Sequence, residues 1–127
     1  YKENMKTTLL TICLLLFSSQ VFAGWTEVGK NNDGTIFYVD FDRTKEHNGY
    51  KYFYMLGDYL IPNNNIFSTE IYVQLDCNKY RYRHISFRYY DQSMGKGNGI
   101  VDNTVLKWKN ITKGTMNYII MTTVCDR

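Results

Sequence analysis

The sequence predicts one small antiparallel β domain, of α+β class if its last segment is helical. Three observations lead there. Aromatic residues are dense, with 12 Tyr and 7 Phe among 127 residues, and aromatic and β-branched side chains favour pleated, half-buried strands. Several stretches alternate apolar and polar residues with period two, the pattern of a sheet with one face in a core. Short runs rich in Asn, Asp and Gly separate those stretches, as hairpin turns require.

Taken in order, residues 25–28 form a short strand that stops at Gly29 and the polar run Asn31-Asn32-Asp33-Gly34. Asp33-Gly34 is a hairpin signal. Residues 35–41 place Ile36, Tyr38 and Asp40 on one face and Phe37, Val39 and Phe41 on the other, and residues 42–49 read as a second polar turn. Residues 50–61 are a long aromatic strand, with Gly57 marking a bulge or close backbone approach, ended by Pro62 and three asparagines. Residues 67–77 are the cleanest strand: Thr69, Ile71, Val73, Leu75 and Cys77 alternate with Glu70, Tyr72, Gln74 and Asp76. Asn78-Lys79 turns into residues 81–90, where Ile85, Phe87 and Tyr89 continue the apolar face against His84, Ser86 and Arg88. Residues 95–99 are a flexible Gly-rich loop, and residues 100–109 a last strand ending near Trp108. Residues 115–125 read equally as strand by composition or as helix by the spacing of Tyr118, Met121 and Cys125, with Thr115 as N-cap.

Residues 1–23 have the order of an export signal. Met5 and Lys6 give a basic start, residues 9–17 an uncharged apolar run, and Val21-Phe22-Ala23 small residues at the cleavage-determining positions. The four residues before Met5 read as lying upstream of the true start, and cleavage is expected before Gly24. The apolar run is about half the roughly twenty residues a spanning helix needs, so no membrane span is expected. Cys13 follows Leu10-Thr11-Ile12 and lacks the small residue that lipid attachment requires, so no lipid anchor is expected.

Export fixes the meaning of the other cysteines. Of 3 Cys, one leaves with the signal, and Cys77 and Cys125 remain as an even pair in an oxidising compartment, where a structural disulfide is expected. Closing that loop would stabilise the fold by about 4 kcal/mol through lost denatured-state entropy. Removing 23 of 127 residues leaves 104, enough for one core and too few for two. Fifteen basic residues less Lys2 and Lys6, and 12 acidic residues less Glu3, leave a formal +2. That balance gives no argument for nucleic acid.

Nor do the reactive residue types assemble into a catalytic pattern. His47 and His84 are the only histidines, His84 is read as an exposed strand residue, and Ser68, Ser86 and Ser93 lack a nucleophile-elbow setting. Asp40 and Asp42 form a carboxylate pair in spacing, but a turn explains Asp42 better. The Gly-rich loop lacks the Lys-Ser/Thr ending of a phosphate-binding loop, and no ligand cluster points to a metal or other cofactor. No enzyme is expected. The suggestive surface is basic and aromatic, with Lys79, Arg81, Tyr82, Arg83 and Arg88 as candidate partner-binding residues. Arginine and tyrosine are favoured interface anchors, so the surface suits an acidic protein segment or a sulfated glycan. Strict alternation puts Arg81 and Arg83 on one face and Arg88 on the other, which favours a merely solvated sheet face.

Several short motifs, in order, resemble one family of exported domains: Trp25 soon after the cleavage site, Tyr38-Val39-Asp40, Leu56-Gly57-Asp58-Tyr59, Asp76-Cys77, the basic strand after it, Met94-Gly95-Lys96-Gly97, the stretch 108–114, and Val124-Cys125. Together they make the chain similar to the surface-adhesin protein E family over nearly all of residues 24–127. The resemblance implies a twisted antiparallel sheet of about six strands, with a C-terminal helix held on its concave face by a Cys77–Cys125 disulfide. It also implies a bacterial surface adhesin that acts as a binding module; the alternative, favoured by the expected lack of a lipid anchor, is a non-catalytic periplasmic or envelope accessory protein of unknown partner. The expected partner is a host protein such as vitronectin or laminin, and an exposed edge strand is open to a homodimer.

Overall fold

The strand with the clearest alternation lies at the heart of a seven-stranded antiparallel sheet. In the computed structural model, which describes residues 24–127, β1 (Thr26–Lys30), β2 (Ile36–His47), β3 (Tyr50–Asn63), β4 (Ile66–Asp76), β5 (Arg81–Tyr90) and β6 (Gly99–Asp102) follow one another across the sheet in chain order. A two-residue β7 (Lys109–Asn110) also pairs with β5. The export-signal reading, with Cys13, lies outside the described residues. No helix among them is long and apolar enough to cross a membrane.

The C-terminal segment is a helix, α1 (Met116–Cys125). Thr115 caps it as its sequence position predicts: the N–H of Tyr118 donates to Thr115 Oγ1 at 3.2 Å. Ile120, Met121 and Val124 are buried on the helix face that meets the sheet, against Val39, Phe53, Met55, Val73, Leu75 and Tyr82. Each such fully buried side chain contributes about 1.5–3 kcal/mol relative to exposure. Cys77, just after β4, is bonded to Cys125 with Cα atoms 5.8 Å apart. Lys51, on the same face of β3, donates from Nζ to the carbonyls of Val124 at 3.1 Å and Cys125 at 3.3 Å. A cation at a helix C-terminus satisfies orphan carbonyls and complements the dipole.

Four local expectations differ from what forms. The polar stretch 42–49 is strand as far as His47, because β2 slips register between Asp40 and Lys45 and then pairs again. The turn is only Asn48-Gly49, both left-handed (φ 52° and 83°), the conformation that a two-residue hairpin favours. Pro62 does not end β3. Residues 59–62 fall between the pairs Asp58↔Ser68 and Asn63↔Ile66, so its missing N–H removes no ladder bond, and Asn64-Asn65 make the turn (φ 50° and 63°).

Residues 100–109 are two strands, not one. The Asp102 carboxylate accepts from the N–H and hydroxyl of Thr104 at 3.0 and 2.6 Å, a side-chain turn that breaks the regular ladder, and between the two strands Leu106 N–H still donates to the His84 carbonyl of β5 at 2.9 Å. The Gly-rich loop is anchored where it begins: Ser93–Gly95 is a 3-10 turn, with Met94 N–H on Asp58 Oδ1 (2.8 Å) and Gly95 N–H on Ser68 Oγ (2.9 Å).

Candidate binding face

One residue of β5 decides which side chains share a face. Tyr72 pairs with Ser86 and Val73 with His84, so Ile85 stands in a bulge with no partner. An extra residue inverts the alternation beyond it. Arg81, Arg83 and Arg88, opposite Asp76, Gln74 and Glu70, therefore all project from the face away from α1, and the separation of Arg88 expected from strict alternation does not occur.

The same inversion sends His84 inward. It sits between Tyr82 and Phe87, with ring centroids 5.6 Å away on each side, and its buried Nε2 has no hydrogen-bond partner. Burial, then the nearby Lys109 charge, lowers its pKa to about 4. The expectation of an exposed strand histidine is thus corrected. Tyr82 is also off the outer face, only 4 % exposed, and its hydroxyl accepts from Asn117 Nδ2 of α1 at 2.7 Å.

The outer face is a connected array of rings and guanidinium groups. Arg81 and Arg83 both lie over Trp108, at 4.4 and 4.7 Å, and Tyr50 touches the same indole at 5.7 Å. Arg81 Nε donates to Asp76 Oδ2 at 3.1 Å, and Arg83 Nε to Gln74 Oε1 at 2.6 Å. Gln74 in turn donates to the Tyr52 hydroxyl at 3.0 Å. The Asp76 carboxyl is held below the usual range chiefly by the N–H of Lys79 and further by Arg81. Lys79 itself is exposed in the turn beyond the strand ends.

Farther along the face, Asp40 is buried and accepts from Arg43 Nε at 2.6 Å and from the N–H of Asp42 at 3.2 Å. Asp40 is thus taken up by its own loop, not by Asp42 as a carboxylate pair. That bond swings Arg43 over Tyr54 (4.0 Å) and Trp25 (5.4 Å). Tyr54 stacks on Tyr72 at 4.4 Å, and Glu70 lies 3.9 Å from Arg43 and accepts from the Tyr90 hydroxyl at 3.5 Å. Burial raises the pKa of Tyr72 and Tyr90, with Tyr54 and Glu70 as the next contributors respectively. Among the described residues no group of three or more His, Cys, Asp or Glu could hold a metal ion.

Sequence reasoning found Arg81, Arg83 and Arg88 but missed Arg43, Tyr54, Tyr72 and Trp108. Tyr54 and Tyr72 were within reach, since period two sets them opposite the core residues Phe53 and Val73. Arg43 and Trp108 lie where the chain leaves ideal strand geometry, and no local pattern marks them.

Residues 25–126 match the family described as Surface-adhesin protein E. Among solved structures, crystal form II of Haemophilus influenzae protein E is similar, at 19 % identity and a TM-score of 0.66 over 84 % of this chain and 91 % of that one. Protein E from non-typeable Haemophilus influenzae gives 19 % and 0.64, over 84 % and 78 %. No curated protein sequence matches the chain. The shared antiparallel sheet and disulfide-tethered helix agree with the sequence match, and the chain belongs to the surface-adhesin protein E family.

Proposed function

We propose that the chain is a non-catalytic binding module of the bacterial surface, engaging a host matrix or serum protein such as vitronectin or laminin through the outer face of its sheet. Family membership across residues 25–126 carries this reading. The chemistry of the face supports it: aromatic rings and arginines are the residue types that dominate protein interfaces, and the Ile85 bulge gathers Arg81, Arg83 and Arg88 on one side. Arg81 and Arg83 stand half-buried against Trp108, so Arg88 and Lys79, both exposed, supply the free charge at its margins.

The test is binding of the oxidised domain to immobilised vitronectin and laminin across a salt series. Saturable, salt-weakened binding that falls in an Arg88→Glu/Lys79→Glu variant supports the reading. Binding indifferent to both changes removes the face from it. Protease shaving of intact cells decides between surface display and a periplasmic protein that meets only bacterial partners.

A further inference from the structure

The ring ladder on the outer face has an open end. Arg43 covers Tyr54 and Tyr54 stacks on Tyr72, but the next residue across the sheet is Ser86, too small to supply another ring. Both rings that touch Tyr72, Tyr52 and Tyr54, come from β3. On its β5 side lies a cleft of about 420 Å³, bordered by Ser86, Glu70, Arg88, Tyr90 and Asn103.

Its lining restricts what fits. The half-buried ring of Tyr72 lines the cleft beside Arg43 and Tyr54 and offers it an apolar surface. The surrounding groups are mainly polar and supply donors and acceptors in several directions. Glu70 is already matched by Arg43 and the Tyr90 hydroxyl. Arg88, by contrast, is exposed, and its side chain makes no hydrogen bond or ion pair with a described residue, which leaves its planar donor fork available for an anion. A saturated sugar ring with one C–H face, several hydroxyls and one negative substituent matches all of this. A phenyl or phenol ring would match the stacking surface but would leave Glu70, Ser86 and Asn103 facing apolar edges.

We infer that the cleft binds one acidic sugar residue of a glycan, a pyranose bearing carboxylate or sulfate, stacked on Tyr72 with its anionic group on Arg88. The inference rests on the outer face being the binding surface and names the ligand chemistry at one place on it. The ligand could come from a sialylated glycoprotein or a sulfated glycosaminoglycan, since both supply a pyranose carrying an anionic group.

The experiment titrates the oxidised protein with sialyllactose, a sulfated heparin disaccharide and neutral lactose, reading amide chemical shifts. At least one acidic sugar is expected to shift amides around Ser86 and Arg88, with lactose about tenfold weaker, as loss of one charge-assisted hydrogen bond implies. Which acidic sugar binds identifies the source. Ser86→Tyr supplies the missing ring and is expected to remove sugar binding. Arg88→Ala, at an exposed position that leaves the fold intact, is expected to bring acidic sugars down to the lactose level. Lactose binding as tightly as both acidic sugars, no shift with any sugar, or full acidic-sugar binding by Arg88→Ala would overturn the inference. Matrix-protein binding that survives Ser86→Tyr, with no sugar bound by the parent protein, overturns it and leaves the adhesin reading standing. Sugar binding without any matrix-protein binding does the reverse.

Discussion

The two faces of the sheet are built from alternate residues of the same strands, yet they are held in different ways. On the α1 side, Val39, Phe53, Val73 and Leu75 are sealed under the helix, and one covalent bond joins helix to strand end. On the outer side, Tyr52, Tyr54, Tyr72, Arg43, Arg83 and Trp108 hold one another through stacked rings and charge-assisted hydrogen bonds. Dry apolar burial gives large stabilisation, whereas exposed cation–π and ion-pair contacts are each worth about 1 kcal/mol or less. Stability should therefore live on one face and recognition on the other, and each can be altered with limited damage to its counterpart.

The comparison breaks first at the disulfide. Replacing Cys77 and Cys125 together with serine should destabilise the domain by about 4 kcal/mol, measured by urea denaturation against the oxidised parent. An unchanged midpoint would mean that the apolar packing of α1 alone seals that face.

Acid should act on the same face through His84. Its folded pKa of about 4 lies below the ordinary 6.5, so between those values the unfolded chain binds more protons than the folded one. Stability contributed by neutral His84 is full above about pH 6.5 and declines as pH falls, levelling below about pH 4, for a total of roughly 3 kcal/mol. Carboxylate protonation adds its own acid loss, so the measurement is the difference between parent and His84→Gln across that window. A constant difference would show that His84 is not held neutral.

On the outer face, Arg43→Ala removes two ring contacts and the partner of buried Asp40, for an expected loss of about 1–2 kcal/mol. A loss as large as that of the disulfide would erase the contrast between the faces. Arg88→Ala should leave thermal stability within about 0.5 kcal/mol of the parent while lowering salt-sensitive binding to matrix protein. The paired measurements of melting and affinity sharpen the contrast most, because this change should move one and not the other.

Much of this architecture is legible in the residues. The alternation of β4 displays its core face without a break, Thr115 sits where a capping hydroxyl is needed, and Cys77 and Cys125 are the two cysteines outside the expected export signal. What escapes is irregularity. The slip in β2 hides a strand inside a polar segment, although Asn48-Gly49 is a strong two-residue turn signal that narrows the turn to its true place. The Ile85 bulge is invisible because every residue from Arg81 to Tyr90 suits a strand, and only pairing with β4 shows which one is left over. Since that residue controls the side of every later one, the position of Arg88 on the outer face could not be placed from the sequence. The terminal segment stays open between helix and strand on the residues alone, and the family resemblance supplies the helix: ten residues with two Ile, two Thr and one Val have strand-like composition, and packing against the sheet overrides it.

Lys51 and Cys77 fasten α1 at the same end, one to its last carbonyls and one to Cys125. The other end is held without a covalent bond, by the Thr115 cap, the Asn117 hydrogen bond to Tyr82 and Met116 against Gly29. Opening of the helix should therefore have a direction, peeling from Met116 toward the disulfide like a flap on a hinge, and hydrogen exchange should show amides near Tyr118 exchanging before those near Cys125.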